Sequence, residues 1–350
     1  MTASGGPRTV LVTGGAGFIG TNFVRYLLHH TDVRVIVVDA LTYAGQRRNI
    51  AAWQNNPRCE FIHGHVEDAV LMLELCRSYQ VETIVHLAAQ THVDRSILDA
   101  RPFVQSNVEG TVALLEAARR VQLQRFVHMS TDEVYGERLE GECAEGEAFA
   151  PSSPYAASKA AADCFVHAYV RTYGVPACVV RSCNVYGPYQ FPEKLVPMSI
   201  LCALHDEPIP LYGDGSQRRQ WLYVEDVCQA LWQLCQEGEV RQVYHLSSGQ
   251  ELSNRELVEK VLELLGKPRT LIRSISDRPG HDRRYALRVE AMHQLGWRAR
   301  VDLEEGLRRT VEWYTHHRAW WEPLWNGEYA EYRRQWYEAV LASNLYGGSA

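Results

Sequence analysis

A chain of 350 residues is long enough to bury a sizeable core, as one extended domain or as a domain with a smaller lobe. Its formal net charge of −6 gives no electrostatic footprint for nucleic acid, and no stretch approaches the roughly 18 consecutive apolar residues of a membrane span. The nine cysteines are odd in number and form no C-x-x-C pair, which argues against a disulfide framework and a metal knot and for a reduced, cytoplasmic setting.

In chain order, short β-branched runs alternate with helical patterns. Strands are predicted at Thr9–Thr13, Val33–Asp39, Cys59–His63, Thr83–Leu87, Phe126–Ser130 and Ala177–Arg181. Helices are predicted between them at Phe18–His30, Asp68–Tyr79, Phe103–Arg120 and Tyr155–Tyr173. The alternation predicts an α/β fold, a Rossmann-type doubly wound parallel sheet. The near-continuous apolar run from Val33 to Val38 suits a strand covered on both faces. After about Pro188 the pattern loosens around Pro192, Pro208, Pro210, Gly213 and Gly215, which predicts a smaller C-terminal lobe. A helix over Val224–Glu237, with Val227, Leu231 and Leu234 on one face, is expected to return to the sheet. Trp313, Trp320, Trp321, Trp325 and Trp336 read as packing anchors of a C-terminal helix.

The first strand runs straight into Gly14-Gly15-Ala16-Gly17-Phe18-Ile19-Gly20, which opens a helix. Glycines belong where a backbone turns tightly and approaches a pyrophosphate, with the helix N-terminus receiving the negative charge. Asp39 ends the second strand, where a carboxylate accepts bonds from ribose hydroxyls and repels a 2'-phosphate, so NAD is expected rather than NADP. Residues 1–188 are therefore expected to form mainly the NAD-binding domain, 189–325 mainly a substrate-binding lobe, and 326–350 a helical tail.

Tyr155 and Lys159 lie four apart in a predicted helix begun by Ser152-Ser153-Pro154. Only four of the 36 basic residues are Lys, so a Lys here stands out against a strong Arg bias. An ammonium beside the phenol is expected to lower its pKa from about 10 and make Tyr155 a usable base. Asp132 and Glu133 follow the predicted strand Phe126–Ser130, at the end where α/β sheets build their sites. Taken alone, that acidic pair reads more simply as a solvated loop. His86, His92 and His128 have no metal spacing and are expected to be structural, and no metal is expected.

These features resemble the extended short-chain dehydrogenases/reductases. Further runs narrow the resemblance to the nucleoside-diphosphate-glucose 4,6-dehydratases: Leu41-Thr42-Tyr43-Ala44-Gly45, His86 to Ser96 (HLAAQTHVDRS), Ser130 to Gly136 (STDEVYG), Asn184 to Leu195 (NVYGPYQFPEKL) and Asp277 to Tyr285 (DRPGHDRRY). The resemblance spans residues 9 to about 325. It implies a cycle in which sugar C4 is oxidised, water leaves across C5–C6 and hydride returns to C6, with NAD recycled. In that cycle Tyr155, aided by Thr131 and Lys159, is the first base, Glu133 the second base and Asp132 the acid. The resemblance also implies cofactor contacts at Gly14, Gly17, Phe18, Ile19, Gly20, Asp39, Leu41, Thr42, His65, Val66, Leu87, Ala88, Ala89, Gln90, Ser106, Tyr155, Lys159 and Val185. Substrate contacts are implied at Thr91, Thr131, Asn184, Lys194, Leu195, Pro210, Tyr212, Arg219, Asn254, Arg278 and His281. A homodimer through the helices at Phe103–Arg120 and Tyr155–Tyr173 is implied too.

His65, Gln90, Ser106, Cys183, Val185 and the run Gln217 to Gln220 depart from the residues usual in enzymes acting on dTDP-glucose, and none belongs to the proton-transfer set. The expected substrate is dTDP-glucose, with UDP-glucose as the alternative. A UDP-sugar 4-epimerase or decarboxylase would share Tyr155 and Lys159 but would not need Asp132 and Glu133. A silent NAD-sensing protein would typically have lost Tyr155 or Lys159.

Overall fold

The computed structural model describes residues 6–51 and 53–341. The first half runs β1 (Thr9–Thr13), α1 (Phe18–His30), β2 (Arg34–Asp39), α2 (Arg47–Ile50), β3 (Cys59–His63), α3 (Ala69–Ser78), β4 (Thr83–His86), α4 (Val93–Leu98), α5 (Arg101–Phe103), α6 (Gly110–Val121), β5 (Arg125–Thr131), α7 (Pro154–Tyr173) and β6 (Ala177–Ser182). The second half runs β7 (Asn184–Tyr186), α8 (Leu195–Leu204), β8 (Ile209–Tyr212), β9 (Arg218–Tyr223), α9 (Val224–Glu237), β10 (Val243–Leu246), β11 (Glu251–Ser253), α10 (Asn254–Leu265), β12 (Ile272–Ile275), α11 (Ala291–Gln294), α12 (Leu303–His316), α13 (Arg318–Trp325) and α14 (Glu328–Leu341).

Seven strands form one parallel sheet in the order β10-β6-β5-β4-β1-β2-β3. Strand side chains alternate between faces, and along β1, β2, β4, β5 and β6 both faces are largely buried, whereas the edge strand β3 stays partly open. Val10 and Val12 join Phe23, Leu27, Val227 and Leu231 of α1 and α9 on one side, whereas Leu11 joins Met72, Leu114 and Val166 of α3, α6 and α7 on the other. Such burial is costly to undo: removing the Phe23 ring, which is fully buried, should cost about 3–5 kcal/mol. Strand order reverses between β1 and β4, and the crevice at the strand ends there is where an open α/β sheet takes a ligand.

Smaller sheets, β11-β9-β7 and β12-β8, lie in the later part of the chain. A separate apolar cluster joins them to the C-terminal helices through Ile200, Leu211, Trp221, Leu257, Leu307, Tyr314, Trp321 and Trp325. The five tryptophans thus spread over three helices instead of anchoring one. Among the described residues no helix is long and apolar enough to cross a membrane, and no group of three or more His, Cys, Asp or Glu is placed to hold a metal ion. All nine cysteines are free thiols.

One expected helix is not continuous. In place of a single helix over Phe103–Arg120, the chain forms α5, a π-turn over Val104–Glu109 and then α6. The wider turn reaches into the core through Asn107, which is fully buried and hydrogen-bonded on three sides. Pro102 precedes the π-turn and Gly110 follows it directly, but no residue within Val104–Glu109 is Gly or Pro and neither flanking residue dictates the wider turn.

Candidate active site

Two cavities open at the carboxyl ends of the central strands. The first, of 440 Å³, is lined by the turn after β1, the ends of β2, β4 and β5, and the start of α7. The turn demands its glycines. Gly14 sits at φ +71° with a Cβ position only 2.6 Å from Ala88 N, and a Cβ on Gly20 would fall 2.1 Å from the Gly14 carbonyl oxygen. Gly17 caps α1 without any side-chain bond, so the first N–H groups of that helix remain available to an anion from the cavity side. Asp39 accepts from Ala16 N at 2.9 Å and Leu41 N at 2.8 Å, which fixes its carboxylate at the cavity wall. An uncapped helix start, a cradle that excludes side chains and a carboxylate opposite together fit a dinucleotide of the NAD type.

Every residue expected to meet the cofactor lines this cavity except Leu41. That residue stands behind Asp39 as a backbone donor, in the left-handed region at φ 51°. Beyond β4, the Gln90 backbone is held through both its N–H and its C=O by the Asn107 amide, at 2.8 and 3.0 Å. Asn107 also donates to Ser158 Oγ at 2.8 Å, tying the π-turn to α7.

The catalytic candidates converge from two segments. Ser153 caps α7 through Ala156 N, and the Tyr155 N–H donates to Ser96 Oγ at 3.2 Å, so the helix start is fixed from both sides. Thr131 ends β5 and caps a short 3₁₀ turn over Asp132–Tyr135, accepting from Glu133 N and donating to Asp132 Oδ1 at 3.2 Å. Buried Ser130 Oγ and Asp132 Oδ2 have no hydrogen-bond partner among the described residues, and both residues line the cavity. Burial pushes the Asp132 carboxyl up to about 7, with the Glu133 charge adding to the rise and Arg219 opposing it. Burial also raises Glu133, but three cations, Arg278, Arg219 and Lys194, pull it back. Both carboxyls are raised, but only Glu133 has three cations set against the rise, an asymmetry of the kind an acid–base pair uses.

The expected effect of Lys159 on Tyr155 is different in the structure. Burial, then the Glu133 charge, drive the phenol above its ordinary value, and the downward influence comes from a hydrogen bond with Thr131. The Lys159 ammonium donates instead to the Met129 carbonyl at 2.6 Å, because the four-residue step along α7 seats it deep against β5. Lys159 itself is lowered by burial to about 8.

A second cavity, of 180 Å³, shares Glu133, Asn184, Glu193 and Lys194 with the first. Of the expected substrate contacts, Leu195, Pro210, Tyr212, Arg219, Asn254, Arg278 and His281 line this cavity alone, Asn184 and Lys194 line both, and Thr91 and Thr131 line the first. Its cations are held in place. Arg278 pairs with Asp94 at 3.1 Å, Asp94 also accepts from Tyr212 OH at 2.9 Å, Lys194 donates to Thr91 O at 2.7 Å, and Arg219 lies 4.2 Å over the Tyr285 ring. Fixed, largely desolvated cations of this kind suit a diphosphate. His281 is held by Asp277 at 2.6 Å.

Sequence reasoning assigned no role to Asn107, Asp94, Glu193 or the wall contributed by α14. Asp94 lies in the His86–Ser96 run and Glu193 in the Asn184–Leu195 run, so their neighbours could have pointed to them. Tyr332, Arg333 and Trp336 carried no such signal, yet all three line the second cavity. The Arg95 guanidinium lies between the Tyr43 and Tyr332 rings at 4.0 and 3.9 Å, joining the loop after β2 to α14.

Comparison with known proteins places this geometry. Residues 11–310 match the family described as GDP-mannose 4,6 dehydratase. The dTDP-glucose 4,6-dehydratase of Streptomyces niveus is 46% identical over 90% of this chain and 95% of its own. The chain belongs to the sugar-nucleotide 4,6-dehydratases. The low-salt glycan biosynthesis protein Agl12 of Haloferax volcanii is 48% identical over 87% of this chain and 98% of its own. The dTDP-glucose 4,6-dehydratase DesIV of Streptomyces venezuelae, solved with NAD bound, superposes with a TM-score of 0.88 at 46% identity, covering 90% of this chain and 99% of that one. The dehydratase is therefore a hydro-lyase of the extended short-chain dehydrogenase/reductase fold, and its uncapped α1 turn and Asp39 are what an NAD-dependent member requires.

Proposed function

We propose that the protein removes water from a nucleoside-diphosphate-glucose, dTDP-glucose foremost, to give the NDP-4-keto-6-deoxyglucose. The observation that carries this reading is Glu133, which lines both cavities and whose charge acts on Tyr155, so that base and acid–base pair serve one sugar. Gly14, Gly17, Gly20 and Asp39 would hold NAD, which would supply the hydride acceptor at C4 and the hydride donor at C6, while Arg219, Arg278 and Lys194 would hold the diphosphate.

Tyr155, which burial keeps protonated at rest, acts here as the phenolate and takes the proton of the C4 hydroxyl as C4 is oxidised. The 4-ketone acidifies C5–H, Glu133 removes that proton, and Asp132 protonates the C6 hydroxyl so that it leaves as water. Glu133 then gives its proton back to C5 as C6 is reduced. Tyr155 has by then gained a proton and Asp132 has lost one. Thr131, bonded both to Asp132 and to the Tyr155 phenol, is the shortest route between them. An epimerase or decarboxylase has no use for the Asp132–Glu133 pair, which favours the dehydratase.

We further infer a cytoplasmic homodimer. Nine unpaired thiols suit a reducing compartment. Val104, Val108 and Val112 on one helical face, with Ala157, Ala161, Cys164, Phe165 and Ala168 on α7, leave apolar area at least partly open to solvent for a partner copy.

Incubating the purified protein with dTDP-glucose, without added reductant, should yield a 4-keto product lighter by one water. Denaturing the same preparation should release NAD. A protein that neither carries NAD nor forms that product when NAD is added would overturn the assignment.

A further inference from the structure

Behind the first cavity lies a buried ion pair that touches neither cavity. Asp163 follows Lys159 by four residues, as Lys159 follows Tyr155, so all three share one face of α7. Asp163 is fully buried and accepts from Arg181 Nε at 2.8 Å, and Arg181 is itself only 2% exposed. The same guanidinium donates through Nη1 to Tyr135 OH at 2.5 Å, at the end of the turn that begins with Asp132. His128 Nε2 lies 3.4 Å from the other Asp163 oxygen.

We propose that Asp163 is a positioning residue for the oxidation step, the fixed counter-charge that, clamped by Arg181, keeps the Lys159 ammonium cationic in its buried seat. This rests on the reading of Tyr155 and Lys159 as the oxidation pair. His86 on β4, His128 on β5 and Asp163 on α7 act on or feel the Lys159 charge, Tyr155 shares its face of α7, and Arg181 on β6 reaches it through Asp163. Burial keeps His86 and His128 largely neutral, His128 being lowered to about 4, so neither imidazole adds a like charge beside the ammonium. Desolvation lowers Lys159, and Asp163 opposes it. A buried ion pair adds little net stability over an apolar pair of the same size, so stability alone does not account for this one. Arg181 gives it a further use, since one guanidinium fixes α7 and the Asp132–Tyr135 turn relative to each other.

The chain has four lysines, so protein labelled with ¹³C at lysine Cε gives four signals that can be followed against pH. The Lys159 signal is the one missing from Lys159→Arg. In Asp163→Asn its titration midpoint should fall by about one pH unit, a tenfold change of the order expected for losing one buried neighbouring charge. Asp163→Glu should restore it. A merely structural role would loosen the site, hydrate the ammonium and raise the midpoint toward 10.5. The neutral pair Asp163→Asn/Arg181→Met strands no charge and should lower the midpoint as well, so it replaces the single variant if that fails to fold. A midpoint that stays or rises in whichever variant folds overturns the proposal. The signal is read without substrate, so this result stands apart from whether wild type dehydrates dTDP-glucose.

Discussion

Asn107 grips the backbone of Gln90 from both sides, accepting from its N–H at 2.8 Å and donating to its C=O at 3.0 Å. The next residue, Thr91, offers its carbonyl to Lys194, so the grip extends to a cation of the substrate cavity. Asn107→Ala leaves these buried groups without partners. Each stranded group costs about 1–3 kcal/mol. The urea midpoint should fall accordingly, with kcat/KM falling further than unfolding explains. An unchanged midpoint would show that water replaces the amide.

Much of this was readable beforehand, for identifiable reasons. A strand buried on both faces announces itself as an unbroken apolar run, as Val35 to Val38 do, and a turn that admits no Cβ must spend glycines. Asp132 and Glu133 gained meaning from their place after a buried strand. The π-turn was not readable, because its cause is a long-range demand: Asn107 is drawn inward by Gln90 and Ser158, both distant in sequence. The resting state of Tyr155 was missed because helical spacing fixes which face Lys159 occupies but not how deep it sits. The short strands β7 to β12, apart from β10, pair only among themselves, and periodicity is weak over three to six residues.

The raised Asp132 carboxyl makes a stability prediction. Its unfolded value is the ordinary one near 3.8 and its folded value about 7. Between these pH values the unfolded chain releases a proton that the folded protein retains, so stability falls as pH rises and levels off above the folded value. Asp132→Asn has no such loss. Wild type should therefore lose ground to Asp132→Asn by a few kcal/mol between pH 4 and about 7, measured as denaturation midpoints at matched ionic strength. Parallel curves for the two proteins would contradict it.

Glu133→Gln and Tyr155→Phe should fail at different stages. Each removes a positioned proton acceptor, worth roughly 10²- to 10⁴-fold. In a single turnover with dTDP-glucose, Glu133→Gln should still build up reduced-nicotinamide absorbance and then stall, whereas Tyr155→Phe should build up little. Equal loss of that absorbance in both variants would show that the two residues do not divide the work.

Preference between dTDP-glucose and UDP-glucose should be modest. The nucleotides differ by a thymine methyl and a ribose 2'-hydroxyl, and burying a methyl is worth about 0.8 kcal/mol, a few-fold in binding. Larger discrimination requires a polar group that one nucleotide leaves stranded. We expect dTDP-glucose to lead in kcat/KM with UDP-glucose measurably turned over. A preference for UDP-glucose above about tenfold would reverse the substrate assignment and leave the chemistry intact.

The stacking of Arg95 between Tyr43 and Tyr332 bears on how the molecule can be handled. Through Tyr332, α14 braces the loop that follows Asp39, some 290 residues earlier by sequence number. Deleting α14 therefore acts on the adenosine side of the protein as well as on the sugar side. The amino end of β1 lies at the sheet edge opposite the strand ends that carry both cavities, and a handle joined there avoids that risk.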